Sequence, residues 1–170
     1  MTSGFTRRAG AAIATAAMSA ALAAPAAGAQ SISINLGVDT TAPCQSASPA
    51  DMEQLISEVH EATNRERAAA SVGPVERLDS LDTIARDWSS QMADEQRMYH
   101  NPQIGTLIAE TYPGQTSHWS ENVLQNWCGA SGDDLVDQWM GSLPHRINLL
   151  RPGHTHLGVG AAVADNSALY

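Results

Sequence analysis

The chain has 170 residues, room for one ordinary domain, and its 43% hydrophobic and 16% charged content excludes wholesale disorder. Nine basic residues, all Arg, face eighteen acids for a formal charge of −9, a surface that repels phosphate backbones and anionic membranes and excludes nucleic acid as a partner. Two Cys are too few for a disulfide scaffold or an all-thiolate zinc site.

Arg7 and Arg8 precede an Ala-rich apolar run from Ala9 to Ala24, followed by Pro25 and Ala27-Gly28-Ala29. This pattern predicts a secretory signal over residues 1–29 with cleavage after Ala29. The run is too short and too weakly apolar to span a membrane. Loss of the leader's two Arg leaves seven against eighteen acids, a charge of −11. The mature protein is expected outside the cytoplasmic membrane, without a span and as a monomer. In that oxidising setting Cys44 and Cys128 read as a disulfide, which closes a loop of about 84 residues and stabilises by roughly 4.5 kcal/mol in the chain-entropy model.

Residues 30–50 read as a lead-in and 51–170 as the folded domain. Ser48-Pro49-Ala50-Asp51 gives an N-cap, a Pro at the first helical position and an acid three residues after the cap. Met52, Leu55, Ile56, Val59 and Ala62 then recur at helical spacing, and Gly73-Pro74 stops the helix. A second helix opens with Asp79 and Asp82 and carries Leu81, Ile84, Ala85, Trp88 and Met92. A loop from Tyr99 to His118 holds one turn of helix around Ile104 to Glu110. Alternation from Trp119 to Asn126 predicts a strand. Ser131-Gly132-Asp133-Asp134 caps a third long helix, and Pro144 opens a short one through Leu150. His154 to Ala164 predicts a strand, Asp165-Asn166 a hairpin turn, and Ser167 to Tyr170 a return strand. The order gives an α+β domain with a small antiparallel sheet between helical layers.

Six His invite a site hypothesis. His60-Glu61 begins a helical zinc-protease pattern, but Asn64 occupies the second ligand's place. His154 and His156, two apart on a strand, share a side and form a potential chelate; two polar residues on a solvent-facing edge is the simpler reading. His100, Glu121 and His145 stand near elements rather than within an apolar stripe, and spacing alone gives weak reason to join them.

Asn64-Arg65-Glu66-Arg67, Met98-Tyr99-His100-Asn101-Pro102, Ser120-Glu121-Asn122-Val123, Trp139 through Leu150 and Leu157-Gly158-Val159-Gly160 fall in one order. Together they resemble the bacterial branch of the CAP superfamily (cysteine-rich secretory proteins, antigen 5, pathogenesis-related one), also called the SCP domain, over roughly Asp51 to Tyr170. The resemblance implies an α-β-α sandwich and an open cleft where two His and two acids converge, in some members on zinc or another divalent ion. Residue by residue, His100 matches the first His, Glu121 the Glu of the family's Gly-Glu-Asn stretch, and His145 the second His. The second acid's position is Ser142, and Ser120 stands where the family has Gly. A triad of His100, Glu121 and His145 would bind Zn²⁺ loosely, with His118, His154 and His156 as substitutes for a missing base. The resemblance also implies that the last strand continues, whereas here it ends at Tyr170 and leaves the strand beside it with a weak edge.

The expected function is a secreted, non-enzymatic binding module that holds a divalent metal or captures a lipid, sterol, peptide or wall ligand. The competing function is a metal-assisted hydrolase acting on peptides or cell-envelope polymer through the same three residues. Trp119, Trp127 and Met140 are candidates to line a groove, with core packing the favoured reading for all three.

Overall fold

A computed structural model describes residues 47–115 and 118–170. The leader, most of the lead-in and Cys44 lie outside the described residues. In chain order the elements are α1 (Pro49–Ala69), β1 (Glu76–Arg77), α2 (Asp79–Glu95), α3 (Ile104–Thr111), β2 (Asn126–Trp127), α4 (Gly132–Met140), α5 (Leu143–Leu149), β3 (His156–Leu157) and β4 (Ala168–Leu169).

The helix starts follow local chemistry. Ser48 Oγ accepts from Asp51 N–H at 3.2 Å while the Asp51 carboxylate accepts from Ser48 N–H at 2.7 Å. Ser131 and Asp134 repeat the reciprocal pair at α4, at 3.3 and 2.9 Å. Each pair satisfies backbone donors that the first helical turn leaves without partners. At α2 the expected acidic cap is not made: Leu78 is the cap residue and offers no side-chain bond. Asp82, 0% exposed, instead accepts Arg77 Nε–H at 2.5 Å and Val159 N–H at 2.7 Å. A buried carboxylate needs such partners, and this one ties α2 to the strand region.

The segment from Gly158 to Ala164 shows why the domain has three layers. Val159, Ala161 and Val163 face Leu55, Ile56 and Val59 of α1 and Leu135 and Val136 of α4. Ala162 and Ala164 face Trp88, Met92 and Ala93 of α2 on the other side. Alternate residues of an extended chain point to opposite faces, so one stretch supplies two cores. Gly158 and Gly160 meet α2 so closely that a Cβ would overlap the backbone of Leu81 and Ala85. Burying Ile56 or Val136 contributes about 1.5–3 kcal/mol each. This is the α-β-α sandwich of the α+β class.

Regular pairing in the middle layer is shorter than the sequence pattern suggests. Of the expected strand from Trp119 to Asn126 only its end joins β2, and of His154 to Ala164 only His156 and Leu157 form β3. β2 and β4 pair antiparallel, while β3 pairs parallel with β1, a strand the sequence did not announce. Ala162 and Tyr170 exchange both backbone bonds, at 2.9 and 2.8 Å, so the return after Asp165-Asn166 forms as expected.

Arg67 explains the Asn64–Arg67 motif. It is 1% exposed and donates to the carbonyls of Gly73 (2.8 Å), Leu149 (2.7 Å), Arg151 (3.2 Å) and His154 (3.0 Å). Asn64 holds both the N–H and the carbonyl of Val75. Together they fasten α1 to the loop before β1, the end of α5 and the approach to β3. Among the described residues no helix is long and apolar enough to cross a membrane.

Candidate functional site

His100 follows α2 in a loop that the core holds in place. Trp88 Nε1–H donates to the Tyr99 carbonyl at 2.9 Å, and the two rings meet edge to face at 4.7 Å. His100 Nδ1–H then donates to Glu121 Oε2 at 2.6 Å. The Asn101 N–H reaches the same carboxylate at 3.1 and 3.3 Å. Two of the three expected residues therefore meet, with His100 largely exposed and Glu121 mostly covered.

His145 goes elsewhere. Its carbonyl accepts from Asn122 Nδ2–H at 3.1 Å, and Asn148 Nδ2–H donates to Asn122 Oδ1 at 2.9 Å. These amides lock α5 to the Glu121–Asn122 segment, while His145 is among the residues that line a second cleft with Met98, Trp127 and Ser142. Ser142, at the position of the family's second acid, is the cap residue of α5 and makes no side-chain capping bond. Among the described residues, no group of three or more His, Cys, Asp or Glu is placed to hold a metal ion. A protein zinc site uses three or four converging donors. The residues as placed do not fit the zinc site implied by the resemblance, because no third donor joins His100 and Glu121 and both Glu121 oxygens are engaged.

The remaining His have separate partners. His154 Nε2 and Ser120 Oγ share a hydrogen bond at 2.8 Å. Burial, reinforced by the positive charges of Arg151 and Arg67 and by His118, holds the His154 imidazole below its ordinary value. His156 bonds Thr155 Oγ1 at 2.9 Å and lies 3.9 Å from Glu76. The two therefore do not act as one chelate here. Spacing offered no route to the Ser120–His154 contact, which joins residues 34 apart.

Above the Glu121 carboxylate runs a cavity of about 630 Å³. Trp88 and Met92 of α2, Ile104 and Ile108 of α3, and Trp119 form an apolar wall. Ser120, Glu121, Asn148 and His154 supply its polar groups. The expectation that Trp119 and Trp127 are core residues is overturned: they are 51% and 63% exposed. Trp119 lies in the irregular segment before β2, close to Gly105 of α3, and Trp127 ends the two-residue β2. Met140 does pack against the α1–α4 core. Among the described residues there is no free cysteine.

Comparison with known proteins bears on the family and the fold. An uncharacterized protein of Bacillus subtilis (strain 168), YkwD, is 28% identical over 117 residues, covering 67% of this chain and 45% of that protein. An extracellular protein containing an SCP domain from Bacillus anthracis str. Ames superposes with a TM-score of 0.50 at 21% identity, over 72% of this chain and 42% of that one. An outer surface protein of Borrelia burgdorferi gives 0.49 at 18% identity, over 71% and 89%. The chain thus spans less than half the length of the two Bacillus proteins it matches. The model of the cysteine-rich secretory protein family, CAP, matches residues 60–170, and the chain belongs to that family.

Proposed function

We propose that this chain is a secreted, non-enzymatic binding module that captures a lipid-like or wall-derived amphiphile. The observation that carries the reading is the cavity of about 630 Å³, apolar along α2, α3 and Trp119 and polar around Ser120, Glu121 and His154. Cavities of that size with a few convergent polar groups are characteristic of small-ligand sites. An amphiphile places its chain against Ile104, Ile108 and Met92 and its head near Glu121 and Ser120. In this reading His100 and Glu121 form a hydrogen-bonded floor rather than a metal centre. Export through the Ala-rich leader and a Cys44–Cys128 bridge complete the proposal, in keeping with the extracellular and outer-surface descriptions of two structural neighbours.

Titration of the mature protein with a dansyl-labelled fatty acid tests it. Saturable binding is expected, displaced by unlabelled amphiphile and weakened about tenfold or more in Ile108→Asp and Trp119→Ala. Equal binding by the parent and both variants would contradict the placement.

A further inference from the structure

The second cleft, of about 540 Å³, differs from the cavity in the chemistry of its wall. Trp127 and Trp139 are its aromatic residues, and with the apolar Met98, Val123 and Leu124 stand the carboxamides of Gln125, Asn126 and Gln138, Ser142 and His145. No Asp, Glu, Arg or Lys lines it, in a chain that carries eighteen acids and nine Arg. A charged occupant would lose its water there without meeting a counter-charge, so the wall selects an uncharged one.

Trp127 is presented rather than packed. Its backbone is fixed by the β2–β4 pair opposite Ala168, yet the residue is 63% exposed. The chain turns at Gly129, whose φ is 95°, and a Cβ built there would stand 3.8 Å from Trp127 Nε1, so the edge of the indole lies close to that turn. The neighbouring amides are oriented as well. Asn126 Oδ1 accepts the Trp127 N–H at 2.8 Å, and Asn126 Nδ2–H donates to Gln138 Oε1 at 2.9 Å. Both carboxamide orientations follow, and the Gln138 NH₂ is left aimed away from Asn126 as a donor.

Three candidate occupants meet this wall differently. A purely apolar ligand covers Trp127 but strips water from the amides without replacing it. An anion finds no carboxylate-binding Arg or Lys, and a cation finds no carboxylate, only the indole face. A neutral sugar ring has a C–H face that stacks on indole and a rim of hydroxyls that both donate and accept, matching carboxamide, hydroxyl and imidazole groups. We propose that this cleft is a subsite for an uncharged pyranose-based glycan, with a ring stacked on Trp127 and its hydroxyls held by Gln138, Asn126, Ser142 and His145. The subsite does not depend on the lipid-like ligand proposed for the cavity.

Calorimetric titration of the mature protein with cellotetraose and with chitotetraose, both uncharged, tests the proposal, with tetragalacturonate as the charged counterpart. Saturable binding of at least one neutral tetramer is expected, with tetragalacturonate at least ~tenfold weaker. Trp127→Ala should weaken the neutral ligand ~tenfold or more and Gln138→Leu ~threefold or more, while Trp119→Ala leaves it unchanged. Circular dichroism confirms that the surface variants fold. Binding of neither neutral tetramer, preference for the charged one, or undiminished binding by Trp127→Ala would each overturn the proposal. Loss on Trp119→Ala alone would move the glycan to the cavity and overturn it equally.

Discussion

Asn148 donates to Asn122 Oδ1 at 2.9 Å, and Asn122 in turn holds the His145 carbonyl at 3.1 Å. This relay fixes α5, and with it the His145 backbone, against the segment that carries Glu121.

Removing either amide should loosen that junction. Asn122→Ala and Asn148→Ala are each expected to cost about 1–2 kcal/mol, because the partner left behind is partly buried. The double variant should cost less than the sum, since both break the same relay. Urea denaturation of the two single variants and the double variant checks the prediction through shifts in midpoint.

A second prediction concerns acid. His154 titrates below its unfolded value near 6.5 in the folded chain, chiefly through burial. As the pH falls, the unfolded state takes up this proton first. The stability contribution is therefore complete above about 6.5 and is lost as the pH drops through the folded value. Asp51 and Asp134, lowered from 3.8 by their bonds to the cap serines, give way in a separate and more acidic window. Unfolding midpoints from pH 8 to about 3 should show both steps, with the upper step missing in His154→Gln.

Zinc provides a third. Chelator-stripped protein titrated with Zn²⁺ should show no site for which both His100 and His145 are required. His145→Ala is expected to take up zinc as the parent does, since His145 lines a different cleft from Glu121. Parallel loss of uptake in His100→Ala and His145→Ala would show that the two rings converge when metal is present.

The fourth concerns the cysteines. Intact-mass measurement of exported protein after alkylation without reductant should show no added label. Reduction should then admit two labels and lower stability by about 4–5 kcal/mol in the chain-entropy model. Two labels before reduction would remove the bridge.

What the sequence disclosed and what it hid divide along physical lines. Ser48-Pro49-Asp51 and Ser131-Asp134 act within one helical turn, so their caps are legible from neighbours alone. The layered core is legible too, because Leu55, Ile56 and Val59 keep helical spacing and Val159 to Ala164 alternate. β1 is not: its two residues pair with His156 and Leu157, about 80 positions on, and two residues carry no periodicity. Asp82 resembles a cap by position, yet its role depends on Arg77 and Val159 packing around it. The site divides the same way. His100 and Glu121 are recognisable by motif and do meet, whereas the backbone at His145 is held by a relay between two Asn that spacing does not announce.

In the proposed function the cavity beside Glu121 carries a ligand, and native mass spectrometry of the protein isolated from the exported fraction, before and after organic extraction, reads this out. An adduct of lipid-like mass is expected on the parent chain, removed by extraction and depleted in Ile108→Asp. A bare-chain mass, together with no uptake of added amphiphile by folded parent protein, would contradict it.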